Sequence, residues 1–257
     1  MELASELPRA TEDQCGACID GIAPPFEFSM AFQPVVDLDA GRVYAYEALV
    51  RGPAGESAAS VLGQVTPANR YAFDQSCRVK AIALASRLGV QRTGASLSIN
   101  FIPGAMYRPE NCVRATLAAG RRHGFPADRL VFELTENEEV TDYAHLQNIF
   151  RVYRAHSFRT AIDDFGAGFS GLGLLAHFPA DVVKIDMSLV RALDTDARRH
   201  AIVGGLVGMC RALSAQVVAE GVETAGELAA LRALGVGLFQ GYLFAKPGFE
   251  ALPPVAW

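Results

Sequence analysis

This sequence predicts an α/β fold, a (β/α)8 TIM-type barrel modified by an antiparallel first strand, and three observations predict it. Strand-like and helix-like stretches alternate from the second strand to the last, and alternation on that scale implies a parallel sheet closed into a barrel. The first two strands are separated only by the short turn Asp39-Ala40-Gly41; a parallel crossover needs far more chain, so these two run antiparallel. Polar or charged residues recur near the ends of the strands that a barrel gathers at one mouth: Glu47, Asn100, Glu133, Asp163, Lys184, Glu220 and Gln240.

Taken in order, residues 1–25 read as a flexible leader, closed by Pro24-Pro25, and residues 26–257 as one barrel domain without internal repeat or linker. The first strand, Phe28 to Leu38, is interrupted by Gln33-Pro34, which argues for an edge or a bulge. The second, Val43 to Val50, carries Glu47 on the face of Ala45 and Leu49. Ser60 to Gly89 contains a long amphipathic helix whose apolar residues fall three and four apart from Asn69 onward. Ala95 to Ile102 is the third strand, Ser98 and Asn100 sharing a face, and Glu110 to His123 a helix stopped by Gly124. Leu130 to Thr135 follows as a strand, with Glu133 inside it and Glu136 just beyond; Tyr143 to Ala155 is helical. The fifth strand ends in Asp163-Asp164 before a loop punctuated by Gly166 and Gly168. Alternation puts Asp163 on the face of Ala161 and sends Asp164 elsewhere or just past the strand end. Then come a short helix (Leu172 to His177), a strand (Val182 to Met187, Lys184 and Asp186 on one face) and a helix (Arg198 to Leu213). A strand from Gln216 to Gly221 holding Glu220, a helix from Ala225 to Leu234 and a last strand from Gly237 to Phe244 holding Gln240 complete the chain.

Composition narrows the function. With 257 residues, 51% hydrophobic and 20% charged, the chain buries a sizeable core and is not disordered. A net charge of −5 without a Lys/Arg block excludes an extended DNA or RNA surface and leaves a small nucleotide open. Residues 1–14 lack the apolar core of a signal peptide, and the longest apolar run, Ala201 to Cys210, is too short to span a bilayer. A cytoplasmic protein with no membrane segment is expected. Five cysteines, an odd and scattered set, do not suit a secreted disulfide framework. Cys15 and Cys18 have the spacing of a zinc or redox pair but no second pair to complete four ligands; Cys77, Cys112 and Cys210 read as small apolar helix residues.

The strand-end residues carry the chemistry. Any one of them reads equally as a solvated loop acid; their convergence at seven strand ends does not. Glu47, Asn100, Glu133 and Asp163 offer hard oxygen ligands that suit magnesium or manganese rather than zinc. The five histidines fall mainly on helices and read as surface or cap residues. So many carboxylates in one mouth cannot all ionise without divalent cations, and Asp163 with Asp164 suits two ions bridging a phosphate and acidifying a water. A lysine there would need a depressed pKa to form a Schiff base; the acids around Lys184 stabilise its charged form instead, so it reads as a cation holding a water or a phosphate oxygen.

Those residues sit in motifs. Tyr46-Glu47-Ala48-Leu49-Val50-Arg51, Ser98-Ile99-Asn100, Glu133-Leu134-Thr135-Glu136, Asp163-Asp164-Phe165-Gly166, Val183-Lys184-Ile185-Asp186, Ala219-Glu220-Gly221-Val222-Glu223 and Gln240-Gly241-Tyr242 resemble, in order and approximate spacing, the motifs of EAL-domain cyclic di-GMP phosphodiesterases from Phe26 to Pro247. The resemblance implies the modified barrel and hydrolysis of cyclic di-GMP to linear pGpG. It implies that Glu47, Asn100, Glu133 and Asp163 hold a first Mg²⁺ or Mn²⁺ ion, that Asp164 holds a second, and that Lys184 contacts the catalytic water. Glu220 matches the proposed general base or, with two ions, a ligand or orienter; Glu223 and Gln240 match supporting positions at the substrate, and Glu136 matches an acid anchoring the loop after Asp164. Gln33, Leu49 and Arg51 resemble substrate contacts. Family members often dimerise, so a homodimer is expected, with Arg198 to Cys210 a candidate face, together with a sensory or regulatory partner. The departures are Gly52 in place of a common tryptophan, a short segment from Gly52 to Asn69, and small changes between Gly166 and Leu172. A non-catalytic cyclic di-GMP receptor and a protein-interaction module are the rival readings; a lysine-dependent aldolase would declare itself by borohydride trapping of Lys184.

Overall fold

The computed structural model describes residues 24–106, 108–135, 142–168 and 171–257. Eight strands close a barrel: β1 (Ser29–Asp37), β2 (Arg42–Arg51), β3 (Ser96–Asn100), β4 (Leu130–Thr135), β5 (Arg159–Phe165), β6 (Val182–Ile185), β7 (Gln216–Ala219) and β8 (Leu238–Phe239). Strands β2 to β8 pair in parallel in chain order, and β1 closes the ring antiparallel to both β2 and β8. The predicted barrel with its reversed first strand is therefore the observed one. A ninth strand, β9 (Gly248–Phe249), adds to β1 at Ala31 and Phe32; with only two residues, it has no periodicity to read.

Pro34 explains the irregular first strand. On one edge β1 pairs with β9 at Ala31–Phe32 and with β8 at Val36–Asp37, which leaves Gln33 to Val35 without a strand there. Proline, lacking an N–H, sits in that gap. The Gln33 side chain fills it by donating to the Ala245 carbonyl at 3.2 Å.

Helices occupy the connections: α1 (Ala58–Leu62), α2 (Arg70–Leu88), α3 (Val90–Thr93), α4 (Pro109–His123), α5 (Tyr143–Ala155), α6 (Gly171–His177), α7 (Met187–Val190), α8 (Ala197–Ala212) and α9 (Ala225–Ala233). Helix α2 stops at Gly89, whose φ of 85° is left-handed, as the sequence predicts. Cys77, Cys112 and Cys210 are buried in α2, α4 and α8, and burial pushes their thiols up. No helix among the described residues is long and apolar enough to cross a membrane.

The interior of the barrel is layered, and the layering places the site. Val35, Ala45, Val131, Ala161, Val182, Val218 and Leu238 form one apolar cluster, contributed by strands all round the ring. Strand side chains alternate, so the next inward position lies two residues on. That position holds Glu47, Glu133, Asp163, Lys184, Glu220 and Gln240 along the parallel strands, and Gln33 on the reversed β1. One apolar layer thus floors a polar one. The outward faces, including Phe32, Leu97, Phe132, Ile162 and Val183, pack under the helices.

Candidate active site at the barrel mouth

Lys184 stands at the centre of the polar layer. Its ammonium lies 3.1 Å from Glu47 Oε2, 3.0 Å from Glu133 Oε2, 2.8 Å from Asp163 Oδ1 and 2.8 Å from Glu220 Oε1, with the residue 1% exposed. Gln240 Nε2 donates to Glu47 Oε2 at 2.8 Å and to Gln33 Oε1 at 3.3 Å, and Asn100 Nδ2 donates to Glu47 Oε1 at 3.1 Å. Residues from all eight strands or their ends are joined in one network.

Two neighbouring carboxylates reach the mouth because β5 breaks its alternation. The β5–β6 register shifts between Ile162 and Phe165, and Asp164 adopts a left-handed φ of 53°, a conformation that aspartate tolerates better than most residues. Sequence alternation sends Asp164 away from Asp163; the irregularity brings it back to line the same cleft. The following Gly166 adopts φ 99°, a conformation that strains any other residue, and a Cβ there would also push against the Leu189 side chain.

Burial and charge together set the titration of the cluster. Burial pushes the Glu133 carboxyl up to about 8, aided by the charges of Glu47 and Asp163 and opposed by Lys184. Burial likewise raises Asp163, and raises Glu220 well above the usual carboxylate range. Asp164 rises to about 6 through burial and the neighbouring Asp163 and Asp186. Burial also pushes Glu47 up, but Lys184, Gln240 and Asn100 outweigh it and hold Glu47 low. A single lysine stabilises one or two of these charges, not five. Burial lowers Lys184, yet Asp163, Glu133, Glu220 and Glu47 together drive it well above the ordinary lysine value, which leaves no neutral amine for Schiff-base chemistry.

Hard oxygens this close, with more negative than positive charge, fit divalent cations. Ligand atoms of Glu47, Glu133 and Asp163 lie within 4.8 Å of one another, and so do those of Asp163, Asp164 and Glu220. Neither set contains His or Cys, so magnesium, manganese or calcium suits them better than zinc.

The cleft above the cluster holds about 440 Å³ and is lined by Gln33, Glu47, Leu49, Asn100, Asp163, Asp164, Glu220, Glu223 and Gln240 among others. Arg51, at the end of β2, turns its guanidinium onto its neighbour's carbonyl, Val50, at 2.7 Å. Glu136, Cys15 and Cys18 lie outside the described residues. A larger hollow of about 850 Å³ lies outside the barrel against Phe26, Phe28, Tyr71 and Leu84. The clustered titratable groups are at the mouth, and the chemistry belongs there.

Several mouth residues escape sequence reasoning. Asp186, expected within the sixth strand, instead caps α7 by accepting from the Ser188 N–H at 2.8 Å, and the strand stops at Ile185. Glu220 and Gln240 likewise sit one residue beyond β7 and β8 rather than inside them. Met187, Arg191 and Tyr242 line the cleft, and Arg191 pairs with Glu223. Beneath them Glu227 accepts from the Ala192, Glu223 and Thr224 N–H groups at 3.1, 3.0 and 3.1 Å, tying the loop after β6 to the loop after β7. Thr224-Ala-Gly-Glu227 is a capping box, the one sequence signal that points to this tie.

Known proteins resemble this chain in sequence and fold. The EAL domain family model matches residues 26–247. The blue light- and temperature-regulated antirepressor BluF of Escherichia coli is 30% identical over 92% of this chain and 58% of its own length. The cyclic di-GMP phosphodiesterase RocR of Pseudomonas aeruginosa is 32% identical over 86% of this chain and 57% of its own. The chain thus spans little more than half of either relative. Among solved structures, a standalone EAL protein of Vibrio cholerae with c-di-GMP bound is 50% identical, covers 91% of this chain and 98% of its own, and superposes with a TM-score of 0.87. BlrP1 of Klebsiella pneumoniae, in complex with manganese and cyclic di-GMP, is 35% identical over 91% of this chain and 59% of its own, with a TM-score of 0.85. A family match across nearly the whole barrel, with an acidic mouth built strand by strand, leads to one conclusion: the chain belongs to the EAL domain family.

Proposed function

We propose that this chain is a cytoplasmic, metal-dependent phosphodiesterase that hydrolyses cyclic di-GMP to linear pGpG and so ends a bacterial second-messenger signal. The observation that carries the reading is the mouth itself: four acids surround one lysine and a fifth, Asp164, adjoins them, with two overlapping groups of carboxylates close enough to share ions. The RocR relative and the BlrP1 manganese complex point the same way.

In this reading Glu47, Asn100, Glu133 and Asp163 would hold one Mg²⁺ or Mn²⁺ ion, and Asp164, beside Asp163, would hold a second. Such ions supply Lewis acidity toward a phosphoryl oxygen and lower the pKa of water. The protein's own groups do the rest. Glu220, whose Oε1 lies 2.8 Å from the Lys184 ammonium and which divalent counter-charge would keep ionised, accepts the proton of the attacking water. Lys184 donates hydrogen bonds that orient that water. The new O–P bond forms in line with the breaking P–O bond to the ribose, and the departing oxygen takes up a proton from solvent in the open cleft as the ring opens. Gln33, Leu49, Glu223 and Gln240, all on the cleft wall, contact substrate, and Arg51 swings to a phosphate or a guanine edge. Glu136 anchors the loop that follows Asp164.

Residues 1–25 are proposed as a leader separate from the barrel of residues 26–257. A homodimer is proposed through the α8 face from Arg198 to Cys210, where Ile202 is 50% exposed, and a sensory or regulatory partner would set its activity. BluF, named as an antirepressor, supports the alternative of a cyclic di-GMP receptor or protein-interaction module without turnover. The deciding experiment is incubation of the purified chain with cyclic di-GMP, with and without Mg²⁺ or Mn²⁺, and chromatography for pGpG. Product that appears only with metal supports the enzyme; binding without product establishes the receptor.

A further inference from the structure

Behind the mouth, on the outer side of the barrel wall, α2 buries an ion pair that the proposed chemistry does not use. Asp74 and Arg78, 2% and 0% exposed, meet at 2.7 Å between Oδ2 and the guanidinium. The guanidinium donates to the Tyr153 hydroxyl at 2.8 Å, and its carbon lies 5.1 Å from the Phe132 ring centre and 5.8 Å from that of Phe101. Asp74 Oδ1 accepts the backbone N–H of Ile102 at 2.9 Å.

Energetically such a pair is a poor way to stabilise a fold. Desolvating both charges costs several kcal/mol, and apolar replacements of similar volume are often neutral or stabilising. Arg78 Nε finds no acceptor among the described residues, so the guanidinium is not even fully satisfied. What apolar side chains cannot supply is a directional acceptor at one backbone position.

That position matters because of the strands it adjoins. The β3–β4 ladder pairs Asn100 with Glu133, and Phe101 N–H still reaches the Glu133 carbonyl at 3.0 Å. The next N–H, that of Ile102, lies past the ladder and is taken by Asp74 instead. Side-chain alternation makes Phe101 and Phe132 the outward neighbours of inward Asn100 and Glu133. The pair therefore grips, from outside, the two adjoining strand ends that present Asn100 and Glu133 to the mouth.

We infer that Asp74, held in place by Arg78, is a positioning residue for Asn100 and Glu133, and so for divalent-ion binding at the mouth. The inference rests on the proposed metal reading, so its test reads ion binding directly. Mn²⁺ affinity is measured by calorimetry, beside thermal unfolding, for the wild-type chain, Asp74→Leu/Arg78→Met and Asp74→Asn/Arg78→Met. Both double variants lack the ion pair; only the asparagine keeps an acceptor for Ile102. The expected result is a Kd weakened ~10-fold or more in the leucine variant, the range typical of lost outer-shell partners, and within ~3-fold of wild type in the asparagine variant. A purely structural pair would leave the Kd of both folded variants alike, whether unchanged or equally weakened, and either result overturns the inference while the metal reading stands. A wild-type chain that takes up no Mn²⁺ overturns both. Should the leucine variant fail to fold, Ile102→Pro removes the donor without touching α2: weakened binding supports the role, and unchanged binding overturns it.

Discussion

At the scale of single residues, the mouth is a problem of counter-charge. Glu47, Glu133, Asp163 and Glu220 surround the Lys184 ammonium within 3.1 Å, and removing one member of a buried pair typically costs about 3–5 kcal/mol. Lys184→Met should therefore lower the melting temperature of the metal-free chain by about 2–4 °C for each kcal/mol lost. It should also make added Mn²⁺ restore more stability than it adds to the wild type. Thermal scans in EDTA and in Mn²⁺ check both, and a variant as stable as wild type in EDTA would show that the acids are neutralised by protons alone. Glu220 poses a different question. Glu220→Gln keeps the shape of the side chain and removes the proton acceptor, so cyclic di-GMP should still bind by calorimetry while pGpG formation falls by ~10²–10⁴-fold, the range for a lost general base. A wild-type rate would remove Glu220 from that role.

At the scale of elements, what is legible in the sequence is periodicity, and what is hidden is everything that breaks periodicity. Six of the strand-end residues are found by counting in twos from an apolar floor, because side chains on a strand must alternate. Asp164 is not, because the left-handed residue and the register shift that turn it inward leave no mark beyond the doubled aspartate and the glycine after it. Asp186 is misplaced by alternation for a related reason: an aspartate that ends a strand by capping a helix reads as one more strand residue. Asp74 and Arg78, spaced like any surface pair on a helix, give no sign that α2 is buried around them. Glu227 is the intermediate case. Its capping box is visible, but the bond to Ala192 that joins two loops is not. Burial pushes Glu227 up, yet hydrogen bonds from Glu223, Ala192 and Thr224 outweigh it and hold the carboxyl below its usual value. A depressed carboxylate stabilises the fold above its unfolded pKa and loses that contribution as the pH falls. Glu227→Gln should cost ~1.5–3 kcal/mol at neutral pH, the range for bonds to a charged group. The gap between the melting temperatures of the two proteins should begin to close as the pH falls below the ordinary glutamate pKa of about 4.3, and should close once the pH has passed below the depressed folded value. A gap independent of pH would mean that the carboxylate charge contributes nothing to the tie.

Across the whole molecule, the acids of the mouth couple stability to pH and to divalent ions. Glu133 is raised to about 8 and Asp164 to about 6, and Asp163 and Glu220 are raised with them. The folded chain therefore keeps protons that the unfolded chain has already released above the ordinary carboxylate range. Groups raised in this way contribute stability that is complete below their unfolded values and is lost as the pH climbs through the folded ones. Without metal, the protein should be more stable near pH 6 than near pH 9, a tenfold difference in proton affinity between the folded and unfolded chain being worth about 1.4 kcal/mol at most. Divalent ions replace those protons as counter-charge, so binding should release protons and tighten as the pH rises. At an ion concentration 100 times its Kd the gain is about 2.7 kcal/mol, or roughly 5–10 °C for a domain of this size. Thermal unfolding across this pH range, in EDTA and in Mg²⁺, should give a falling curve and a flatter one that diverge toward high pH. Glu133→Gln, which removes the most clearly displaced of these carboxyls, should flatten the EDTA curve. Curves that run parallel at every pH would mean that protons and metal do not compete for the same oxygens, and the mouth would then be no ion site.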